Sequence, residues 1–262
     1  MFSAPWVVSR DMLAIIGGTG LSSLDGFEFV EERAVKTTYA QTEVRASVFV
    51  HEGRQFLFLP RHGNEHQIPP HKINYRANIA ALVDLGVDKI VGINAVGGIH
   101  GNLGPGNFAI PDQLIDYSYG RDATFFESDL QQVTHIDFSY PYTERLRKFL
   151  LHAVNQVNKR SSIQHGVMDG GVYGCTQGPR LETAAEVRKL ERDGCDMIGM
   201  TGMPEAALAR EMEIEYASLA LSVNWAAGIT DGSISLDDMH RVLDEGMNFV
   251  AAVLQDLVRN AS

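Results

Sequence analysis

Apolar residues in this chain fall into short runs with two distinct periods. Leu13-Ala14-Ile15-Ile16 is continuously apolar and ends in Gly17-Gly18-Thr19-Gly20, the mark of a strand buried on both faces and stopped by a turn. Ala46–His51 and Gln55–Leu59 have strand character, and Glu52-Gly53 between them signals a hairpin. Asn74–Leu85 carries a helical pattern and stops at Gly86. Lys89–Asn94 is the next strand and runs into Ala95-Val96-Gly97-Gly98, and Tyr142–Val157 is a second helix. Thr183-Ala184-Ala185-Glu186 is a capping box that opens a third helix, closed by Gly194. Met197–Gly199 is a short strand, Pro204–Glu213 a helix with proline in its first turn, Leu219–Val223 a strand and Leu236–Leu257 a long amphipathic helix. Strands that alternate with helices predict an α/β fold with a mixed, largely parallel twisted sheet flanked by helices. One domain over residues 13–262, preceded by an arm over residues 1–12, is the simplest organisation.

Composition narrows the function classes. The chain has 262 residues, 45% hydrophobic and 21% charged, with a formal net charge of -11. That balance argues against sequence-independent nucleic-acid binding, which needs a basic face, but not against small anions held by a few donors. Cys175 and Cys195 form no CxxC pair, so neither a disulfide framework nor a zinc site is expected, and a reducing cytoplasm is the default. No apolar run approaches the roughly 18–20 residues of a membrane span. The opening MFSAPWVVSRDM lacks a basic n-region and a long apolar core, so it is expected to be a short arm, or to precede a start at Met12, rather than a signal peptide.

Several junctions carry candidate chemistry. Gly17-Gly18-Thr19-Gly20 follows a strand, where backbone N–H groups can cradle an anion or simply make a tight turn. No Gly-Lys-Ser/Thr follows, so it is not a Walker loop, and the glycine spacing fails the dinucleotide fingerprint. Pro60-Arg61-His62-Gly63 closes a strand and, with His66, His71 and Lys72, makes a locally basic region. Arginine offers a planar fork for phosphate, and histidine a second donor. The spacing of those histidines matches i,i+4 only once and Pro69-Pro70 breaks any helix, so no metal site is expected. Asn94-Ala95-Val96-Gly97-Gly98 lies at a strand end, where open α/β sheets place ligands. Thr201, in Met200-Thr201-Gly202-Met203-Pro204-Glu205, is placed as an N-cap or a phosphate ligand. Asn224 sits near the end of the apolar run LSVNWAAGIT, where an unpartnered amide would cost about 1–3 kcal/mol.

Together these stretches resemble the trimeric purine nucleoside phosphorylase family, in its methylthioadenosine phosphorylase branch. The resemblance spans nearly the whole chain from Leu13. It rests on Gly-Gly-Thr-Gly-Leu at 17–21, Pro-Arg-His-Gly at 60–63, Asn-Tyr-Arg-Ala-Asn-Ile at 74–79, Gly-Pro-Arg at 178–180 and Met-Thr-Gly-Met-Pro-Glu at 200–205. It implies attack of inorganic phosphate on C1′ of a nucleoside, with the purine leaving through N9, and no metal or organic cofactor. Phosphate is then expected at Thr19, Arg61, His62, Asn94, the Ala95 backbone and Thr201. Asn94 stands where the branch usually has threonine. Met200 is expected near the ribose.

The resemblance also bears on specificity. The adenosine-type branch places two aspartates where this chain has Asn224 and Ala226. An amide donates to a 6-oxo group and accepts N7–H, so Asn224 is expected to read the leaving base, and Glu182 to accept N1–H. Leu181 replaces an aromatic that usually packs on the base. Leu236 falls where inosine-type relatives carry histidine, which implies an apolar pocket for a 5′-methylthio group, and His135 matches a residue lent by the neighbouring subunit. The expected reaction is phosphorolysis of 5′-methylthioinosine by a cytoplasmic homotrimer. The alternatives are 5′-methylthioadenosine, inosine or guanosine as substrate, or a non-catalytic nucleoside- or phosphate-binding regulator on the same fold.

Overall fold

The computed structural model describes residues 12–18, 21, 24, 26–128 and 132–260. The expected arm over residues 1–12 lies almost wholly outside them, and so does Thr19. The sheet is built around two long strands, β5 (Lys89–Gly98) and β11 (Glu215–Trp225), which pair in parallel. β1 (Leu13–Gly17) pairs in parallel with β5 on one side and β4 (Arg54–Pro60) on the other. Beyond β4 come β3 (Val44–His51) and the edge strand β2 (Glu28–Val35), both antiparallel. The β3–β4 hairpin turns at Glu52 and Gly53, both with positive φ, the twist a tight two-residue turn requires. The remaining strands are short: β6 (Phe108–Ile110), β7 (Gln113–Asp116), β8 (Val167–Asp169), β9 (Val172–Cys175) and β10 (Met197–Gly199). β10, β9 and β7 extend the sheet from β5, while β6 and β8 continue it from β11.

The sheet is mixed and largely parallel, as the alternation of strands and helices implies, and both faces are covered. Ile15, Val91, Leu219 and Leu221 pack on one face against α2 (Glu144–Arg160) and α5 (Leu236–Asn260). Ala14, Ile16, Ile90 and Ala220 point to the other face, under α1 (Tyr75–Asp84) and α4 (Glu205–Glu211). Neighbours along β1 therefore alternate between two cores, which is why the run reads as continuously apolar. The Thr183 capping box forms as expected and opens α3 (Ala184–Arg192), which seals a smaller cluster over Ile198 and Ala226. Among the described residues no helix is long and apolar enough to cross a membrane.

Four short strands and β2 escape the sequence pattern. β2 is mostly exposed, half of its residues are charged and it has no buried face to give a period of two, and β6 to β9 have only three or four residues each.

Candidate active site

β1, β4, β5 and β11 run in the same direction, so their C-terminal ends converge on one rim, the place where open α/β sheets bind ligands. A cavity opens there. Gly18 follows β1, Arg61 and His62 follow β4, Asn94 to Gly97 end β5, and Asn224 and Ala226 end β11. The loop after β10 adds Met200 and Thr201, and the approach to α3 adds Leu181 and Glu182. Gly18 and Ala226, more than 200 positions apart in sequence, thus share one wall.

On the β4 side, Arg61 is only 1% exposed. Its planar fork grips Glu205 at the start of α4: Nε donates to Oε2 and Nη2 to Oε1, both at 2.7 Å, while Nη1 donates to Ile93 O at 3.1 Å. Tyr216 Oη donates to the same Glu205 Oε1 at 2.8 Å. The fork expected to face phosphate is therefore turned to a carboxylate, and Arg61 has only its remaining N–H groups for the cavity. Two glycines make room for this pair. A Cβ on Gly92 would stand 2.5 Å from Tyr216 Oη, and one on Gly18 would stand 2.6 Å from Ile93 O and 3.1 Å from Arg61 Nη1.

His62 also departs from its expected role. Its Nδ1 lies 2.8 Å from Ile68 O, which can only accept, so Nδ1 carries the hydrogen. Burial pushes the imidazole down to about 4, with the Arg61 and His66 charges adding to the shift against the Ile68 bond. At neutral pH His62 therefore presents Nε2 as an acceptor, and becomes a second donor only by taking up a proton.

Thr201 is buried, and its Oγ1 accepts from Asn94 Nδ2 at 2.8 Å. Asn94 Oδ1 in turn accepts from Ser218 Oγ at 2.7 Å. Asn94, 1% exposed, thus has both ends of its amide engaged within the protein.

Across the cavity, Glu182 is half-buried, and its Oε1 accepts from Thr176 Oγ1 at 2.5 Å, which leaves Oε2 available to a ligand. Asn224 is half-buried rather than buried. Its Nδ2 donates to Trp225 O at 2.6 Å, leaving one N–H and the carbonyl oxygen. Neighbouring backbone thus satisfies part of this amide. Ala226 is buried and Leu181 partly exposed, both on the cavity wall.

Two expected residues are not at this wall. Leu236 begins α5 with 61% of its surface exposed, and Met239, His240 and Leu243 of the next turns face the cavity instead, with Ile234 before them. The expectation for Leu236 is corrected: the apolar character survives in Ile234, Met239 and Leu243, and His240 adds a polar edge. His135 is exposed and does not line the cavity.

Arg121 escapes sequence reasoning altogether. Its guanidinium donates to the carbonyls of Thr176, Gln177, Met200 and Met203, tying together the loops that carry Glu182 and Thr201. A single arginine in a polar loop prints no periodic signal. Among the described residues no group of three His, Cys, Asp or Glu is placed to hold a metal.

The model of the phosphorylase superfamily matches residues 12–259. The chain belongs to that superfamily. A relative from Pseudomonas syringae pv. tomato, named a probable S-methyl-5′-thioinosine phosphorylase, is 52% identical over 92% of this chain and 96% of its own. One from Thermococcus kodakarensis, named a probable 6-oxopurine nucleoside phosphorylase, is 39% identical over 94% and 91%. The methylthioadenosine phosphorylase of Schistosoma mansoni in complex with adenine superposes with a TM-score of 0.87 at 30% identity, over 95% of this chain and 91% of that one. The resemblance read from the five motifs is borne out, and with it the fold and the assignment as a phosphorylase, a pentosyltransferase of the nucleoside type.

Proposed function

We propose that the cavity binds a 5′-methylthio-6-oxopurine nucleoside beside inorganic phosphate and catalyses phosphorolysis of 5′-methylthioinosine to hypoxanthine and 5-methylthioribose 1-phosphate. A phosphate oxygen bonds to C1′ as the C1′–N9 pair leaves with the purine, which takes up at N7 the proton that hydrogen phosphate gives up. Arg61, Thr201, the Ala95 backbone and Thr19 hold the nucleophile, with His62 Nε2 accepting from its P–OH, so that orientation supplies about 7–11 kcal/mol of the barrier reduction. Met200 packs near the ribose. Asn224 accepts N7–H and gives its free N–H to O6, and Leu181 lies against the base. Phosphate is a co-substrate, and the reaction asks for no cofactor.

The observation that carries this reading is the base end of the cavity. Glu182 has one oxygen held by Thr176 and the other free to accept N1–H, which adenine lacks, and alanine stands at 226 where a carboxylate would attract a 6-amino group. The names of the Pseudomonas and Thermococcus relatives support the 6-oxo preference. Ile234, Met239 and Leu243 support a methylthio group at the sugar end. Assembly as a homotrimer belongs to the same reading. His135 is exposed away from its own cavity, and Tyr119, Val133 and Tyr140 expose apolar surface on the same segment.

The test is phosphate-dependent release of free base from methylthioinosine, inosine and methylthioadenosine by the wild type and by N224D/A226D. The wild type is expected to favour methylthioinosine over methylthioadenosine by at least tens-fold, because Glu182 and Asn224, half-buried and covered by the bound base, would be unmet with adenine. The double variant is expected to narrow that ratio. A wild type that prefers the adenine nucleoside, or a ratio unmoved in the variant, overturns the base assignment.

A further inference from the structure

Ser218 lies in the middle of β11, 2% exposed, and takes no part in lining the cavity. Its hydroxyl reaches across to β5, where Oγ donates to Asn94 Oδ1 at 2.7 Å. Asn94 Nδ2 passes the order on to the loop after β10, donating to Thr201 Oγ1 at 2.8 Å. All three side chains are buried, so these bonds are protected from water and each member has few alternatives.

The direction of the chain has a chemical consequence. A threonine hydroxyl has one hydrogen and two lone pairs. With a lone pair occupied by Asn94, the Thr201 hydrogen points away from the amide, toward the cavity that Thr201 lines. Were the amide reversed, Thr201 would donate to the Asn94 carbonyl and offer the cavity only lone pairs, which repel an anion. In the observed orientation the Ser218 hydroxyl donates to the carbonyl end of the amide, which keeps the Nδ2 end on Thr201.

We infer that Ser218 and Asn94 are positioning residues that hold the Thr201 hydroxyl as a donor to the phosphate nucleophile. This inference rests on the phosphate site proposed above. Asn94 thereby acts on phosphate through Thr201, and a serine remote from the cavity becomes part of its recognition.

The experiment is a double-mutant cycle in the full chain, with initial rates over a range of inorganic phosphate at fixed nucleoside and the reverse. Ser218→Ala is expected to raise the phosphate KM about three- to ten-fold, the effect of one ordinary hydrogen bond, with the nucleoside KM changed by less than about two-fold. Thr201→Val is expected to raise the phosphate KM on its own, and Ser218→Ala to add nothing in that background. A phosphate KM unmoved in Ser218→Ala, an equal rise in both KM values, or full additivity with Thr201→Val overturns the inference. If Ser218→Ala does not fold, Ser218→Cys, nearly the same size and a weaker donor, carries the same cycle and the same outcomes. Wild-type turnover that ignores phosphate would sink the functional reading, whereas phosphate-dependent wild type with an indifferent Ser218 sinks only this relay.

Discussion

Replacing Glu205 by glutamine isolates the most deeply buried ion pair at the site. The Arg61 and Glu205 side chains are 0% and 1% exposed, and two parallel 2.7 Å bonds join them. Glutamine keeps the size but removes the charge, and its NH₂ would face an arginine N–H, donor against donor. Removing one partner of a buried pair costs about 3–5 kcal/mol, because the other charge stays buried without compensation. At roughly 2–4 °C per kcal/mol for a chain of this size, Tm is expected to fall by about 6–20 °C. Phosphate should act as a replacement counter-ion, so saturating phosphate is expected to raise the Tm of Glu205→Gln more than that of the wild type. R61M/E205L, which removes both charges, should recover most of the Tm but not the phosphate KM. Calorimetry with and without phosphate reads all three proteins. A Glu205→Gln variant within about 1 kcal/mol of wild type, or a double variant as unstable as the single one, would refute the view that this pair carries uncompensated charge when broken.

Thr176→Val removes the hydroxyl that orients Glu182, and is expected to lower kcat/KM for the 6-oxopurine nucleoside about two- to ten-fold while the phosphate KM stays put, measured by initial rates. His62 titrates near 6.5 when unfolded and at about 4 when folded, so it is neutral in both states above about pH 6.5. As pH falls from there toward 4 the unfolded state takes the proton first, and up to about 3 kcal/mol of stability is lost. His62→Asn should flatten that limb in denaturant titrations across pH. Met239→Asn is expected to cut the preference for a 5′-methylthio over a 5′-hydroxyl nucleoside about ten-fold, whereas Leu236→Ser should leave it within about two-fold, read from paired kcat/KM values.

Local chemistry was the legible part of this chain. The apolar runs of β1, β5 and β11, the hairpin at Glu52-Gly53 and the capping box at Thr183 follow from spacing and residue type, and they place the candidate residues at strand ends. Pairings across long separations were not legible. Glu205 reads as an acidic residue in the first turn of a helix, yet its partner Arg61 is 144 positions away. Ser218 reads as one polar interruption in a buried strand, and only the pairing of β11 with β5 brings it to Asn94. The miss at Leu236 has another cause. The loop between Ala226 and α5 carries no periodicity, so the phase of the helix, and hence which turn faces the cavity, could not be counted through it. Tautomers escape sequence as well: only the Ile68 carbonyl decides that His62 presents an acceptor.

The ladder between β11 and β5 slips between Ser222 and Asn224: Ser222 pairs with Val96, but Asn224 already faces Gly97. Tyr216 to Ser222, before the slip, are locked in the sheet's interior, whereas Asn224 beyond it lies half-buried at the cavity and Ala226 lines its wall. The bulge therefore works as a joint between a scaffold and an exchangeable tip. An amide can be traded for a carboxylate at the tip without touching a core contact before the slip, so on the proposed reading of the base a change of purine should cost little in folding. Changes at Asn94 or Ser218, on the locked side, carry the full burden of the interior. Diversification of this architecture should be fast for the leaving base and slow for the nucleophile, and a designer who wants a new nucleoside should begin at residue 224 and stop short of 222.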